Sequence, residues 1–432
     1  MKKRLFAILL ALVLMVSLVS VLAVACEEEG TDTTGEGTET TVGEAKTLTI
    51  GGIAFLTGPA AAGGMACKTG WELAVAKVNA DGGLKIGDDT YMVNLVVEDD
   101  AMSIDQASTA AQKLIQQDGA TFMVGPLIDA FKNVIQPICA EAGVLLATSD
   151  TCNASAKIEY EGNTDVSPDK DLYIRAHWAN DEVMPYLFDY LTANYPDAKK
   201  IAVCGVTEAC TVGIYNWLET KLPEVGLERV GELEQMAPDT ADYNPPVQRI
   251  LSANPDAILV AVSTPTTWGF VTKAAREQGF TGPVLCATHL DVEFADRIAG
   301  GGNTDMFGAG VCLSDIAALS ADMQAAHEAY AAEGYPAADE IADVYLVGYN
   351  GMWVLLQAIQ AAQSVEPRDV FENYQTLTTK GDLKTLWGDA FVAGIESTGI
   401  NAVLNEPYWI NAIGAEPGVA KNVQYIDMVE CP

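Results

Sequence analysis

Between Lys46 and Ser155 the chain alternates short, continuously apolar runs with longer runs of helical period, and this alternation constrains the fold more than any other feature. Lys46 to Phe55 is a core strand, and Leu56-Thr57-Gly58-Pro59 turns it. Cys67 to Asn79 carries Trp71, Leu73, Ala74, Val75 and Val78 at helical spacing and is stopped by Asp81-Gly82-Gly83. Tyr91 to Val97 is a second strand, ending at Glu98-Asp99-Asp100, and Asp105 to Gln117 is a helix for which Asp105 is the expected cap. Phe122 to Ser155 then reads as strand, Gly-Pro turn, helix to Glu141, strand, and polar loop. The order β-α-β-α-β-α-β predicts a parallel sheet with helices on both faces. In such sheets ligands bind outside the carboxyl ends of the strands. The loops at Ile128 to Phe131 and at Thr148 to Asn153 are therefore expected to line one mouth.

The alternation starts again near Arg175. Helices are predicted over Asp181 to Tyr195, Thr211 to Val225, Tyr243 to Ala253 and Thr266 to Gln278. Strands are predicted over Lys200 to Val206, Val230 to Met236, Ala257 to Val262 and Pro283 to Ala287. Helices follow at Ser320 to Glu333 and Ala342 to Gln363, and the tail holds strands near Phe391 and at Tyr408 to Ile413. With 432 residues, 49% of them hydrophobic, two similar α/β units can each bury a core.

The first 46 residues fall outside this pattern. Lys2, Lys3 and Arg4 precede an uncharged apolar run, Leu5 to Ala25, that ends in Leu-Ala-Val-Ala-Cys. That is the form of a secretory signal; the competing reading is an uncleaved anchor, since the run is long enough to span a bilayer. Glu27 to Lys46 is rich in Glu, Thr and Gly and reads as a flexible tether. The formal net charge of −35 disfavours nucleic acid and anionic lipid headgroups as partners. Nine cysteines include no Cys-x-x-Cys pair, so neither a redox motif nor a zinc knuckle is indicated. Cys204 and Cys286 fall in core strands, and Cys139 with Cys152 is a conceivable disulfide. No Gly-x-Ser-x-Gly elbow, phosphate loop or Gly-x-Gly-x-x-Gly after a strand is present, so no enzyme is expected. No cofactor or resident metal is called for.

Leu56-Thr57-Gly58-Pro59-Ala60-Ala61, Val97-Glu98-Asp99-Asp100, Gly125-Pro126-Leu127, Glu141-Ala142-Gly143-Val144, Asp239-Thr240-Ala241-Asp242-Tyr243, Ala253-Asn254-Pro255-Asp256-Ala257 and Ala274-Ala275-Arg276-Glu277-Gln278-Gly279 occur in an order and spacing that is familiar. Over roughly residues 47 to 365 the chain resembles the extracytoplasmic solute-binding proteins of ABC importers, in the branched-chain amino-acid (Leu/Ile/Val-binding) family. The resemblance implies the type I periplasmic-binding-protein architecture: two Rossmann-like α/β lobes with parallel sheets, joined by three crossover segments, closing on a solute. It implies lobe 1 over 47–175 and 308–366 and lobe 2 over 176–307 and 367–432; ahead of them, the signal peptide over 1–25 resembles a bacterial lipoprotein signal, which implies a lipidated cysteine at Cys26, followed by a disordered acidic tether over 26–46. The protein is then expected to be a monomer outside the cytoplasm, lipid-anchored to the membrane on its periplasmic or outer face. Its partners would be a small-molecule solute and the ABC permease and ATPase subunits.

The resemblance also implies which positions touch the solute: Gly63, Asp129, Ala130, Phe131, Asp150, Cys152, Trp178, Cys210, Thr264, Trp268 and His289. Asp129 stands where the family often has a Ser that donates to the solute's carboxylate. Asp150 and Cys152 stand where Ser-Pro-Ser-Ala-Thr is usual, and Ala209-Cys210-Thr211 replaces Ala-Tyr-Gly. Gly63 replaces an aromatic, and His289 falls near the acidic residue that holds the ammonium group. An ionised Asp donates no hydrogen bond, and two carboxylates at a partly desolvated mouth repel an anionic group. A cationic or neutral polar solute fits these residues better than leucine, with Phe131, Trp178 and Trp268 as a possible aromatic wall. Each has a blander reading beside it: core packing for the aromatics, a helix cap for Asp129, an Asx turn for Asp150, a plain loop position for His289. The alternative function is a ligand sensor that docks on a membrane receptor.

Overall fold

The structure is a computed structural model and describes residues 45–58, 61–149, 171–177, 180–207, 209–237, 240–263, 265–332, 344–393 and 402–427. Asp150, Cys152, Trp178, Thr264 and the segment holding Cys26 lie outside the described residues.

The first sheet is built from the predicted alternation. Strands β1 (Lys46–Ala54), β3 (Asp89–Asp99), β4 (Phe122–Val124), β5 (Leu145–Thr148) and β6 (Tyr173–Arg175) run parallel, while β2 (Leu84–Ile86) folds back on β3 as a hairpin. Helix α1 (Ala61–Ala80) covers one face with Trp71, Ala74, Val75 and Val78. Helices α2 (Ile104–Gln116) and α3 (Asp129–Ala142) cover the other with Ala107, Ala111, Leu114, Phe131 and Ile135. Because both faces are covered, β4 and β5 are buried at every position. The cap of α2 is Ser103, whose hydroxyl accepts the Gln106 N–H, rather than Asp105, which lies in the first turn.

The second sheet holds β7 (Lys200–Val206), β8 (Glu228–Arg229), β9 (Glu234–Met236), β10 (Ala257–Val260), β11 (Val284–Cys286) and β12 (Met306–Ala309), all in parallel pairs. Its helices are α4 (Asn180–Asn194), α5 (Ala209–Glu224), α6 (Asn244–Ser252), α7 (Pro265–Glu277) and α8 (Val292–Ile298). The chain returns through a short 3₁₀ turn, Leu313–Ala318, to α9 (Ala321–Ala332) and α10 (Val344–Ala362) of the first lobe. Helices α1 and α10 cross with their backbones in contact. A Cβ on Gly70 would collide with the Tyr345 carbonyl oxygen, and one on Gly348 with that of Cys67.

The tail departs from expectation. The resemblance placed residues 367–432 in lobe 2, yet α11 (Pro367–Tyr374) packs on α10, and β13 (Leu383–Thr385), β14 (Gly388–Ala393) and β15 (Val403–Asn405) extend the first sheet. β15 pairs with β6 through Val403 and Arg175, so the tail satisfies a strand edge that would otherwise be open. The chain enters lobe 2 only at Glu406-Pro407, where β16 (Tyr408–Ile413) runs antiparallel to β12 and β17 (Ala420–Ile426) closes the edge. Lobe 1 thus reads β13-β14-β15-β6-β5-β4-β1-β3-β2, and lobe 2 reads β17-β16-β12-β11-β10-β7-β8, with β9 beside β7. Three crossovers join them: after β6, after β12, and between β15 and β16.

Candidate functional site

The mouth of lobe 1 is shaped by backbone constraints at the carboxyl ends of β4 and β5. Gly125 follows β4 with φ +78°, and a Cβ there would collide with the carbonyl oxygen of Ile53 on the adjacent strand. Only glycine fits. The chain then opens α3, whose N-cap position is Ile128, so Asp129 is the first helical residue and not the cap. Ala130 is exposed, and Phe131 is buried among Ala107, Ile135 and Met123, which makes it a core residue of lobe 1. Ser149 lies 7% exposed against α10, where a Cβ on Gly351 would strike its hydroxyl. Gly63 is buried in α1, and Cys210 lies in the first turn of α5.

Behind this mouth sits a polar layer that the sequence did not announce. Lys132, one turn into α3, has no exposed surface and stands 5.2 Å from the centre of the Tyr173 ring. Gln136 Nε2 donates to Asp171 Oδ2 at 2.7 Å, and the Thr148 and Tyr173 hydroxyls lie 2.9 Å apart. Arg175, 1% exposed at the end of β6, adds a second buried cation. Alternation and spacing gave no means to place these two buried cations.

Lobe 2 contributes the loops after β10 and β11. The Ser263 N–H donates to Thr288 Oγ1 at 2.9 Å, which ties the two loops together. His289 is next in chain and only 4% exposed, so it is not a free loop residue. Its ring meets His177, on the first crossover, at 5.5 Å between centroids in an edge-on arrangement, and Trp387, between β13 and β14, at 4.9 Å. His177 and Trp387 are 5.3 Å apart. One ring comes from each lobe and one from a crossover. Trp268, by contrast, is completely buried on α7 against the second sheet, among Cys204, Val260 and Cys286. It is a core residue, as the blander reading of the aromatics had it.

Polar contacts run on from the ring cluster into the hinge. His177 Nδ1 lies 2.7 Å from Glu406 Oε1, with both side chains fully buried. Burial, with His289 and Arg175 nearby, holds the His177 pKa well below its ordinary value. Burial also lowers that of His289 to about 3. Both rings are neutral at neutral pH. The close contact is then a hydrogen bond from Nδ1–H to the carboxylate, which leaves Nε2 of His177 the acceptor. Asn350 of α10 donates to Glu406 Oε2 at 3.5 Å and accepts the Leu386 N–H at 2.9 Å. The Tyr374 hydroxyl, the Trp387 indole N–H and the Asn405 side-chain amide have no hydrogen-bond partner among the described residues.

A group with metal-ligand chemistry also occurs: oxygens of Asp291 and Glu293 and the Cys312 sulfur lie within 4.8 Å of one another. Its members already have other tasks. Asp291 caps α8 by accepting the Glu293 N–H at 2.8 Å, and Cys312 Sγ lies 3.2 Å from Ser314 Oγ. Cys139 is a free, buried thiol 3.7 Å from Met123 Sδ. Cys152, its conceivable partner, lies outside the described residues. Cys204 and Cys286 are buried, as small apolar residues of core strands are expected to be.

Two parallel sheets facing one hinge through three crossovers, with polar loops meeting at their carboxyl ends, is a two-lobed binding architecture. The sequence model of the family described as periplasmic binding protein matches residues 47–410. The chain belongs to that family. It is 28% identical over 321 residues to the Leu/Ile/Val-binding protein BraC3 of Rhizobium johnstonii, covering 74% of this chain and 80% of the relative. Among solved structures, the leucine-binding protein LivK of Thermotoga maritima superposes with a TM-score of 0.68 at 20% identity, over 88% of this chain and 99% of the other. A Rhodopseudomonas palustris ABC-transporter solute-binding protein in complex with 4-hydroxybenzoate gives 0.69 at 17% identity, over 88% and 97%. The shared fold is that of type I periplasmic binding proteins. The chain's curated relatives carry the name Leu/Ile/Val-binding protein. Among the described residues no helix is long and apolar enough to cross a membrane.

Proposed function

We propose that the protein is the lipid-anchored, extracytoplasmic solute-binding subunit of an ABC importer. It captures a small polar organic solute, amino-acid-like and cationic or neutral, between its lobes and presents the closed form to a permease whose ATPase supplies the energy. Cys26 would carry the lipid, and residues 27–46 the tether. The observation that supports capture at this place is the meeting of His289 from lobe 2 with His177 and Trp387 at the hinge, at the carboxyl ends of both sheets. Asp129 and Asp150 are assigned to the mouth, and their charge selects against an uncompensated anion.

The solved relatives named above are a leucine-binding protein and a protein in complex with 4-hydroxybenzoate, and this chain carries Asp129 and Asp150 where a hydroxyl or small residue is usual in the family it resembles. The test is mass spectrometry of the small molecule that co-purifies with the protein. A cationic or neutral polar molecule supports the reading; leucine or an aromatic acid would sink the solute class. Asp129→Ala and Asp150→Ala are expected to weaken binding of that molecule by about tenfold or more, with the thermal midpoint of the solute-free protein unchanged. Unchanged affinity in both variants would show that the mouth has been misplaced.

A further inference from the structure

The loop between β13 and β14 is two residues long, Leu386-Trp387, and it lies in the part of the chain that the family resemblance covers poorly. It is bound firmly to lobe 1. Gln357 of α10 accepts the Lys384 N–H at 2.9 Å and donates to the Lys384 carbonyl at 2.7 Å. Asn350 of the same helix accepts the Leu386 N–H, and the Ser320 hydroxyl, at the start of α9, donates to the Leu386 carbonyl at 3.0 Å. Four hydrogen bonds to two helices make the tip part of the rigid body of that lobe.

The same tip touches lobe 2 and the crossovers. The Tyr425 hydroxyl of β17 donates to the Trp387 carbonyl at 3.0 Å. The Trp387 ring, 3% exposed, packs on His289 of lobe 2 and His177 of the first crossover. Gly388, with φ +142°, follows at once, and a Cβ there would lie 2.6 Å from Tyr425 Oη and 2.9 Å from Pro407 Cγ of the third crossover. Beyond the hairpin, Lys380 of lobe 1 pairs with Asp427 after β17. A contact this near the pivot has leverage: a shift of an ångström at the tip becomes a rotation of the whole lobe.

We propose that the Leu386-Trp387 tip is a wedge that sets the angle at which the lobes shut, with Trp387 the positioning residue between them. The proposal rests on the hinge-closure reading given above. The tip belongs to lobe 1, and its contacts to His289 and Tyr425 span the seam to lobe 2. Gly388 is small because a side chain would hold the seam open. Solute affinity is then tuned from behind the mouth, by the energy of closing, without the tip touching the solute.

Hydrogen–deuterium exchange of the full chain, with no solute added, reads this directly. Trp387→Ala is expected to raise exchange about tenfold in segments 287–291 and 405–410, across the seam, while β4 and β10 keep their protection. Trp387→Phe, which retains a ring, restores most of it. Gly388→Ala opens the same segments, and adding Tyr425→Phe reverses part of that change by removing the struck hydroxyl. Exchange that rises only within 383–393 would overturn the wedge and leave a local packing role. Equal exchange in Trp387→Ala and Trp387→Phe would overturn it too, as would a Gly388→Ala effect indifferent to Tyr425. Should Trp387→Ala fail to fold, shown by lost protection in β4 and β10, the Gly388–Tyr425 pair decides. Because no solute enters the measurement, a failure to find one counts against the solute-binding reading and not against the wedge.

Discussion

His289 was visible in the sequence as one of three histidines following a strand, but its surroundings were not. They come from Trp387, almost a hundred residues later, and from His177 and Glu406, more than two hundred apart. No local pattern links such positions, and each alone reads as a satisfied core residue. The assembled cluster has a consequence in acid. A buried base whose pKa is lowered keeps the folded state neutral while the unfolded chain takes up a proton. Its contribution is fully present above the unfolded histidine value, near 6.5, and is lost as pH falls toward the folded value. For His289 that window runs from about 6.5 down to about 3. His177 moves in the same direction. Inside its window His289 costs the fold about 1.4 kcal/mol per pH unit. His289→Phe is expected to lose about 2 kcal/mol less than the parent between pH 6 and 4.5 in urea titrations. Parallel losses in the two proteins would mean that His289 is not held neutral. Asp291, raised to about 6 by burial, runs the opposite way and destabilises as pH rises from its unfolded value to 6. The pH series therefore needs the variant as its internal reference.

At the scale of elements, periodicity carried most of the information. Lys200–Val206 was placed to the residue, and α6, α7, α9 and α10 to within two. Long helices and continuously buried parallel strands leave several turns or residues of pattern to read. β2, β13 and β15 have three residues each, too few to show a period, and all were missed. Of the run Val230 to Met236, expected as one strand, only Glu234–Met236 is strand, as β9, and Gly231 with φ +74° lies in the turn that separates it from β8. Glycine spacing hid another feature, the contact of α1 with α10. Gly70 and Gly348 look like helix-weakening residues in sequence, but each lies where the other helix's backbone passes. Gly348→Ala must push the two helices apart. Overpacking of this kind is expected to cost about 1–3 kcal/mol, against a gain of under about 1 kcal/mol in helix propensity. A urea midpoint that rises in this variant would show that the helices have room to spare.

For the whole molecule, the alternation of strand and helix supplied two sheets, and the resemblance supplied the hinge. Neither supplied the path of the tail, because the order in which strands join a sheet is set by edges left open elsewhere. Here the open edge was β6, and the tail filled it before crossing. The late crossing brings Trp387 and Glu406 to the hinge, so the least familiar part of the chain completes the hinge. Charge acts at the same scale. With a formal net charge of −35 the protein attracts cations from a distance, and screening weakens that attraction. A bound solute stabilises the folded form by mass action, about 2.7 kcal/mol at a hundred times its dissociation constant. Thermal unfolding against leucine, 4-hydroxybenzoate and a quaternary ammonium alcohol should therefore separate the solute classes. The ammonium alcohol, a cation without a carboxylate, is expected to raise the midpoint, and leucine and 4-hydroxybenzoate to leave it in place. Salt adds a second axis. If the aspartates of the mouth hold a cationic group, the shift shrinks between 10 and 150 mM salt, where the screening length falls from about 30 to about 8 Å. A midpoint raised by leucine, at any salt, would show that the buried cations Lys132 and Arg175 outweigh the mouth's carboxylates and that the site still grips an ordinary α-carboxylate.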